Sequence, residues 1–320
     1  MKPRYIILMV GMNLLWAASY PIFKFLSAQM PSGALATLRF GVAAVVLLAA
    51  WRWIGGQSPR WSDAPRIVAT GVMVFCLAPR LQIEGVHRGQ AGDTSLLMGL
   101  DPLITALAAA LFLREKVPSR RWWGCALGMI GVVLLSRVWS GKAAPMRGLL
   151  ANTLFIASFF CESAYSVFGK PILHRCNPLK LLGAGVIAGT LANLLLDTTL
   201  DHGATFKAIT TMNSTAWLLV LYLGTVCTVV GYALWYVVIR ETQVNVTGLT
   251  VLVQPLAGLL ISVIWLGERL HWGQLWGSVA IVIGLAVGMR RDKAQRGQLS
   301  PQMQPDSAGI STCPIREPLA

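Results

Sequence analysis

Pro102-Leu-Ile-Thr-Ala-Leu107, then Leu113-Arg-Glu115, Trp123-Gly124 and Ile130-Gly131, returns 153 residues later in the same chain. The second copy reads Pro255-Leu-Ala-Gly-Leu-Leu260, Leu266-Gly-Glu268, Trp276-Gly277 and Ile283-Gly284. Nine of the thirty positions from 102 to 131 match without a gap. Leucine matches between two apolar hairpins are cheap, but a proline, a glutamate, a tryptophan and two glycines in register are not. The chain carries an internal duplication.

The surroundings of each copy are strongly apolar. Of 320 residues, 55% are hydrophobic and 12% are charged, with a mean hydropathy of +0.61. A soluble domain carries roughly twice that charge, so the exterior of this chain is suited to lipid. A spanning helix needs about 20 mostly apolar residues. Such runs lie near 5–26, 33–54, 67–86, 91–113, 120–138, 148–169, 179–198, 216–238, 246–266 and 272–290. The predicted fold is an all-α membrane protein of about ten transmembrane helices. The first run is too long for a signal peptide and lacks a cleavage site, so it is predicted to stay as the first helix.

Five helices separate the two copies. Five is odd, so the second copy must enter the bilayer from the opposite face, which makes the halves two inverted five-helix repeats. Their expected extents are 1–145 and 146–290. The remainder, 291–320, is rich in Gln, Ser, Pro and charge and is expected to be a disordered cytoplasmic tail. Loop charge sets the orientation. With the N-terminus inside, 18 of the 27 Lys and Arg fall on the cytoplasmic side and 6 outside, which predicts both termini cytoplasmic. The net charge of +14 is spread over these short loops and forms no nucleic-acid stripe. Inverted repeats suit alternating access, because a shared site between the halves can open to either face in turn.

The same residues resemble the EamA-type family of the drug/metabolite transporter superfamily. The likeness rests on Trp16, Leu38-Arg39-Phe40, Pro102…Leu113-Arg114-Glu115, Trp123-Gly124…Gly131, and Pro255…Gly267-Glu268…Gly277…Gly284. The chain departs from the pattern at Ala17, where a glycine usually follows the tryptophan, and in its number of intramembrane charges. The resemblance implies ten helices in two halves, a central cavity, export of a metabolite or amino acid, a bacterial inner-membrane location and, in many members, a homodimer. The expected partners are a small-molecule substrate and the lipid bilayer. No cofactor, metal, catalytic residue or nucleic acid is expected; no phosphate loop, triad or metal spacing occurs. An uptake permease of the same fold and a non-transporting scaffold or sensor stay as alternatives.

A charge inside a spanning helix costs several kcal/mol unless paired or wetted, which makes it a functional candidate. The set is Lys24, Arg39, Arg80, Glu84, Asp101 and Glu162. The candidate cavity residues are Trp16, Arg39, Arg80, Asp101 and Gln254. Arg39 either clamps a substrate carboxylate or pairs with Asp101 or Glu84. Arg80 and Glu84 are four apart, a spacing that predicts mutual pairing, and Lys24 near a helix end is placed to snorkel. Asp101 and its repeat partner Gln254 each precede a helix proline, where freed carbonyls and broken helices line transporter sites. Glu162 is the candidate for proton coupling. Pro102, Glu115, Gly124, Pro255, Glu268 and Gly277 are the structural repeat motif. The two glutamates are expected to hydrogen-bond at the start of the next helix, and the glycines to leave smooth faces for helix contact.

Overall fold

A computed structural model describes residues 3–101, 103–104, 119–135, 144–165, 168, 172, 175–234 and 253–288. Pro102, Glu115 and the segment 291–320 lie outside the described residues. The chain is all-helical there: α1 (Pro3–Ala17), α2 (Ser19–Ser27), α3 (Ser32–Ala50), α4 (Ala64–Val72), α5 (Ala78–Arg88) and α6 (Ala91–Leu97) form the first part. Then come α7 (Ser119–Leu135), α8 (Ala144–Ala164), α9 (Pro178–Thr199), α10 (Ala204–Thr211), α11 (Ser214–Leu221), α12 (Val253–Leu266) and α13 (Trp272–Gly288).

Among the described residues, five helices are long and apolar enough to cross a membrane: Ile7–Ser27, Ser32–Ala50, Trp61–Arg88, Pro178–Thr199 and Ser214–Leu234. Gly148–Ala164, Val253–Leu266 and Trp272–Gly284 are shorter apolar helices. Large apolar side chains such as Leu191, Leu256 and Ile264 are exposed around the outside, an apolar perimeter that lipid covers.

Helix ends follow local chemistry. Asn177 accepts from the Leu179 amide at 2.8 Å ahead of Pro178, so α9 opens with a side-chain cap and a proline at its first position. Asn213 does the same for α11, accepting from the Ala216 amide at 2.8 Å.

The third span changes its helical winding for an identifiable reason. Pro79 sits in the first turn of α5, and a proline removes one ladder donor and crowds the carbonyl four residues back. The preceding stretch Met73–Leu77 is π-helical, which widens the turn. The carbonyl four back is that of Phe75, and it accepts from Asn193 Nδ2 of α9 at 2.9 Å. The π-helical stretch therefore offers a docking point between the first and second halves.

The duplication shows in the packing. α7 and α13, the fifth and tenth spans, cross on glycine. A Cβ on Gly131 would lie 2.8 Å from the Gly277 carbonyl, and one on Gly284 would lie 2.6 Å from the Gly124 carbonyl. Exchanging the repeats turns the first contact into the second. A like pair joins other spans: Gly71 lies against the Gly185 carbonyl and Ala188, as Gly224 lies against the Arg39 carbonyl and Val42. Close backbone approach of this kind needs small residues. Gly284→Ala is expected to push α7 and α13 apart and cost about 1–3 kcal/mol of stability. A lowered thermal midpoint of the detergent-solubilised protein checks it.

Candidate functional site

Both halves contribute to one cavity of about 220 Å³. The first half supplies Trp16, Ser19, Tyr20 and Phe23 from the first span, Arg39 from α3, Val74 and Gln82 from the third span, and Met98 and Asp101 after α6. The second half supplies Glu162, Ser163 and Tyr165 from the sixth span, Tyr232 from the eighth and Gln254 from α12. One guanidinium and two carboxyls thus share an aromatic-walled space.

Arg39 is held from three sides. It is 7% exposed, and its Nε donates to Thr228 Oγ1 at 3.1 Å. The guanidinium carbon lies 5.4 Å from the Phe23 ring centre and 5.0 Å from that of Phe40, within cation–π reach of both. Thr228 can accept this bond because its own hydroxyl hydrogen goes to the Leu223 carbonyl at 2.8 Å, five residues back in the π-helical stretch Tyr222–Val230. With Nε engaged, neither terminal nitrogen bonds another of the described residues. The candidate partner Glu84 is occupied elsewhere: Arg88 Nε donates to its Oε1 at 2.6 Å.

Glu162 projects from the last turn of α8, and its Oε1 accepts from Gln82 Nε2 at 2.9 Å. Asp101 and Gln254, equivalent positions of the two repeats, both reach the cavity. Gln254 is tied at both ends of its amide. Tyr20 Oη donates to its Oε1 at 3.0 Å, and its Nε2 donates to Asn13 Oδ1 at 2.6 Å. Trp16 lines the wall and anchors it: Nε1 donates to the Cys227 carbonyl at 2.7 Å, and its ring meets Tyr232 edge-on at 5.5 Å.

Several placements differ from the sequence expectations. Arg80 is not among the cavity-lining residues, and it does not pair with Glu84. Its Nη1 meets Asp201 Oδ2 at 2.8 Å and its Nε donates to Asn193 Oδ1 at 2.9 Å. The cause is Pro79, whose freed carbonyl recruits Asn193 to this point, so Arg80 finds a carbonyl oxygen and a carboxylate across the helix gap. Arg80→Leu is expected to lower stability by about 1–3 kcal/mol while leaving the KM of transport unchanged. Thermal unfolding beside a flux assay separates the two effects.

Lys24 spends its ammonium on backbone at a helix end. Its Nζ donates to the carbonyls of Val86, His87 and Gly89 at 3.2, 2.7 and 2.5 Å. Glu268 does cap a helix start, but not the next helix: it accepts from the Ala91 and Gly92 amides, both at 2.8 Å, at the head of α6. The start of α13 is served instead by Gln274, whose Oε1 accepts from the His271 amide at 3.0 Å, as a capping-box residue does. Glu115 lies outside the described residues.

Sequence reasoning passed over Gln82, Thr228, Tyr20, Tyr165 and Tyr232. Gln82 had a signal, a polar residue between two charges inside an apolar run. The tyrosines and Thr228 had none, because such residues are ordinary in apolar helices.

Comparison with known proteins bears on this site. The EamA-like transporter family model matches residues 3–137 and again 149–289. A "Probable terminal-alkyne amino-acid exporter" of Streptantibioticus cattleyicolor is 28% identical, over 89% of this chain and 93% of that protein. A "Probable amino-acid metabolite efflux pump" of Salmonella typhimurium is 30% identical, over 62% of this chain and 67% of that one. An "Uncharacterized transporter" of Archaeoglobus fulgidus is 24% identical over 86% and 95%. Among solved structures, one crystal structure of a protein 18% identical superposes with a TM-score of 0.57, covering 96% of this chain and all of that one; it speaks to the fold alone. Two successive family matches over the two helical halves identify a multi-pass membrane transporter and not an enzyme: the chain belongs to the EamA-like transporter family.

Proposed function

We propose that this transporter is a secondary exporter of a small polar or amphipathic metabolite, an amino acid or an amine. It works by alternating access across the bacterial inner membrane, with both termini cytoplasmic. The observation that carries this reading is the gathering of Arg39, Asp101 and Glu162 on one cavity lined from both halves. A guanidinium whose terminal nitrogens bond none of the described residues suits a carboxylate, the two acidic groups suit an ammonium, and Trp16, Phe23 and the tyrosines suit an apolar body. The volume of about 220 Å³ lies below the roughly 300–1,000 Å³ of sites for drug-sized ligands. The printed names of two relatives, an exporter and an efflux pump, support the outward direction.

Flux into proteoliposomes across a panel of amino acids and amines tests the proposal. Saturable flux of a zwitterion or amine is expected, running outward in right-side-out vesicles. An absence of saturable flux with every compound, beside a working control transporter, overturns it.

A further inference from the structure

Four segments that line the cavity continue to the same end of the bundle. Phe23 is followed by Lys24 in α2, Gln82 lies about one turn before Val86 in α5, and Met98 lies about two turns after Ala91 at the head of α6. Gln254 stands near the start of α12, whose far end leads to Glu268. The first, third and ninth spans run toward this end and the fourth runs away from it. In the orientation proposed above, on which this inference rests, it is the outer end.

Chemistry at this end is concentrated on the short connection from α5 to α6. The last carbonyls of a helix lack intrahelical donors and form the negative pole of its dipole, and the first amides lack acceptors and form the positive pole. Here the Lys24 ammonium takes the carbonyls of Val86, His87 and Gly89, while the Glu268 carboxylate takes the amides of Ala91 and Gly92. Each ion thus sits on the helix pole of opposite sign. A third tie joins the same place. Asp93 Oδ1 accepts from Gln274 Nε2 at 2.9 Å and faces His271 Nε2 at 3.1 Å. Because His271 Nδ1 accepts from the Gln274 amide, Nε2 carries the hydrogen that meets Asp93.

We propose that Glu268 is an outer latch, which shuts the cavity from the external side by tying the second half to the head of α6, while Lys24 holds the α5–α6 connection in place for it from within the first half. Lys24 and the α5–α6 connection both lie in the first half, and Glu268 lies in the second. When one half rocks against the other, the Lys24 bonds can travel with the first half, but the outer mouth can part only if the Glu268 amide bonds and the Asp93–Gln274 bond let go. The latch makes the closed outer mouth the favoured state and is among the contacts that opening must break.

The test reads accessibility and needs no substrate. In full-length protein, Met98→Cys places a thiol on the cavity wall, and intact cells are labelled with a membrane-impermeant maleimide; protein with Met98 intact sets the background. E268Q replaces one acceptor oxygen with an NH2 that opposes a backbone N–H, and K24M keeps the stem while losing all three donors. E268Q is expected to raise external labelling of Met98→Cys about tenfold and to reduce labelling in inside-out vesicles, and K24M, which loosens the connection that Glu268 grips, is expected to raise external labelling by less. Thermal midpoints show that both variants are folded, and two independent variants guard against loss of either. Unchanged external labelling in both overturns the latch, and so does a rise confined to the cytoplasmic face. Failure of the transport reading looks different: wild-type flux is then absent while the labelling change persists.

Discussion

Arg39→Gln is expected to lower the specificity constant of transport by about 100-fold for a carboxylate-bearing substrate. The guanidinium is fixed before substrate arrives, by Thr228 Oγ1 on Nε and by the Phe23 and Phe40 rings beside it. A pre-set donor pair gives up little entropy on binding. Each charge-assisted hydrogen bond is worth about 1.5–3 kcal/mol, and losing such a pair, with partial replacement by the glutamine amide, corresponds to roughly two powers of ten. Arg39→Lys is expected to fail similarly. An ammonium is a point charge that cannot hold Thr228 and grip a carboxylate in one plane. Thr228→Val, which removes only the orienting acceptor, should raise KM by less. Initial rates in proteoliposomes give the answer, and an unchanged KM for Arg39→Gln sinks the carboxylate clamp.

The second large effect is on coupling. Glu162→Gln is expected to abolish accumulation driven by a proton gradient, by at least about tenfold, while exchange of labelled for unlabelled substrate continues. Glu162 stands on the same cavity as Asp101 and Arg39, and Gln82 holds one of its oxygens at 2.9 Å. A carboxylate that meets a substrate ammonium in one state and a proton in another links the two flows. Glutamine has the same shape and can do neither. In the wild type, flux should increase with the imposed proton gradient; in the variant it should be flat. Gradient-driven accumulation that survives in Glu162→Gln removes this residue from the coupling step.

Much of the architecture was legible in one dimension. The repeat from Pro102 to Gly131 and from Pro255 to Gly284 is a match of residues at constant offset, and the span count follows from runs of apolar residues. The parity of that count, five, carries the inversion. Such features depend on neighbours along the chain, so they survive without coordinates. The gathering of Arg39, Asp101 and Glu162 was half legible, since a charge in a lipid-spanning helix has few places to go.

Pairing was not legible, because partners are chosen in space. Arg80 had a carboxylate one turn away in Glu84, yet it meets Asp201, 121 positions on. Pro79 opens the ladder at Phe75, Asn193 fills the opening, and the guanidinium follows. Lys24 and Glu268 each had a bland local role to play, and both reach instead to backbone poles at the α5–α6 connection. By itself the sequence determined that this is a ten-span, inverted-repeat membrane protein with charges held in its interior. Only the tertiary structure decided which charge faces the cavity and which is spent on holding helices together. A long side chain satisfies the nearest complementary group in three dimensions, and helix packing alone sets what is nearest.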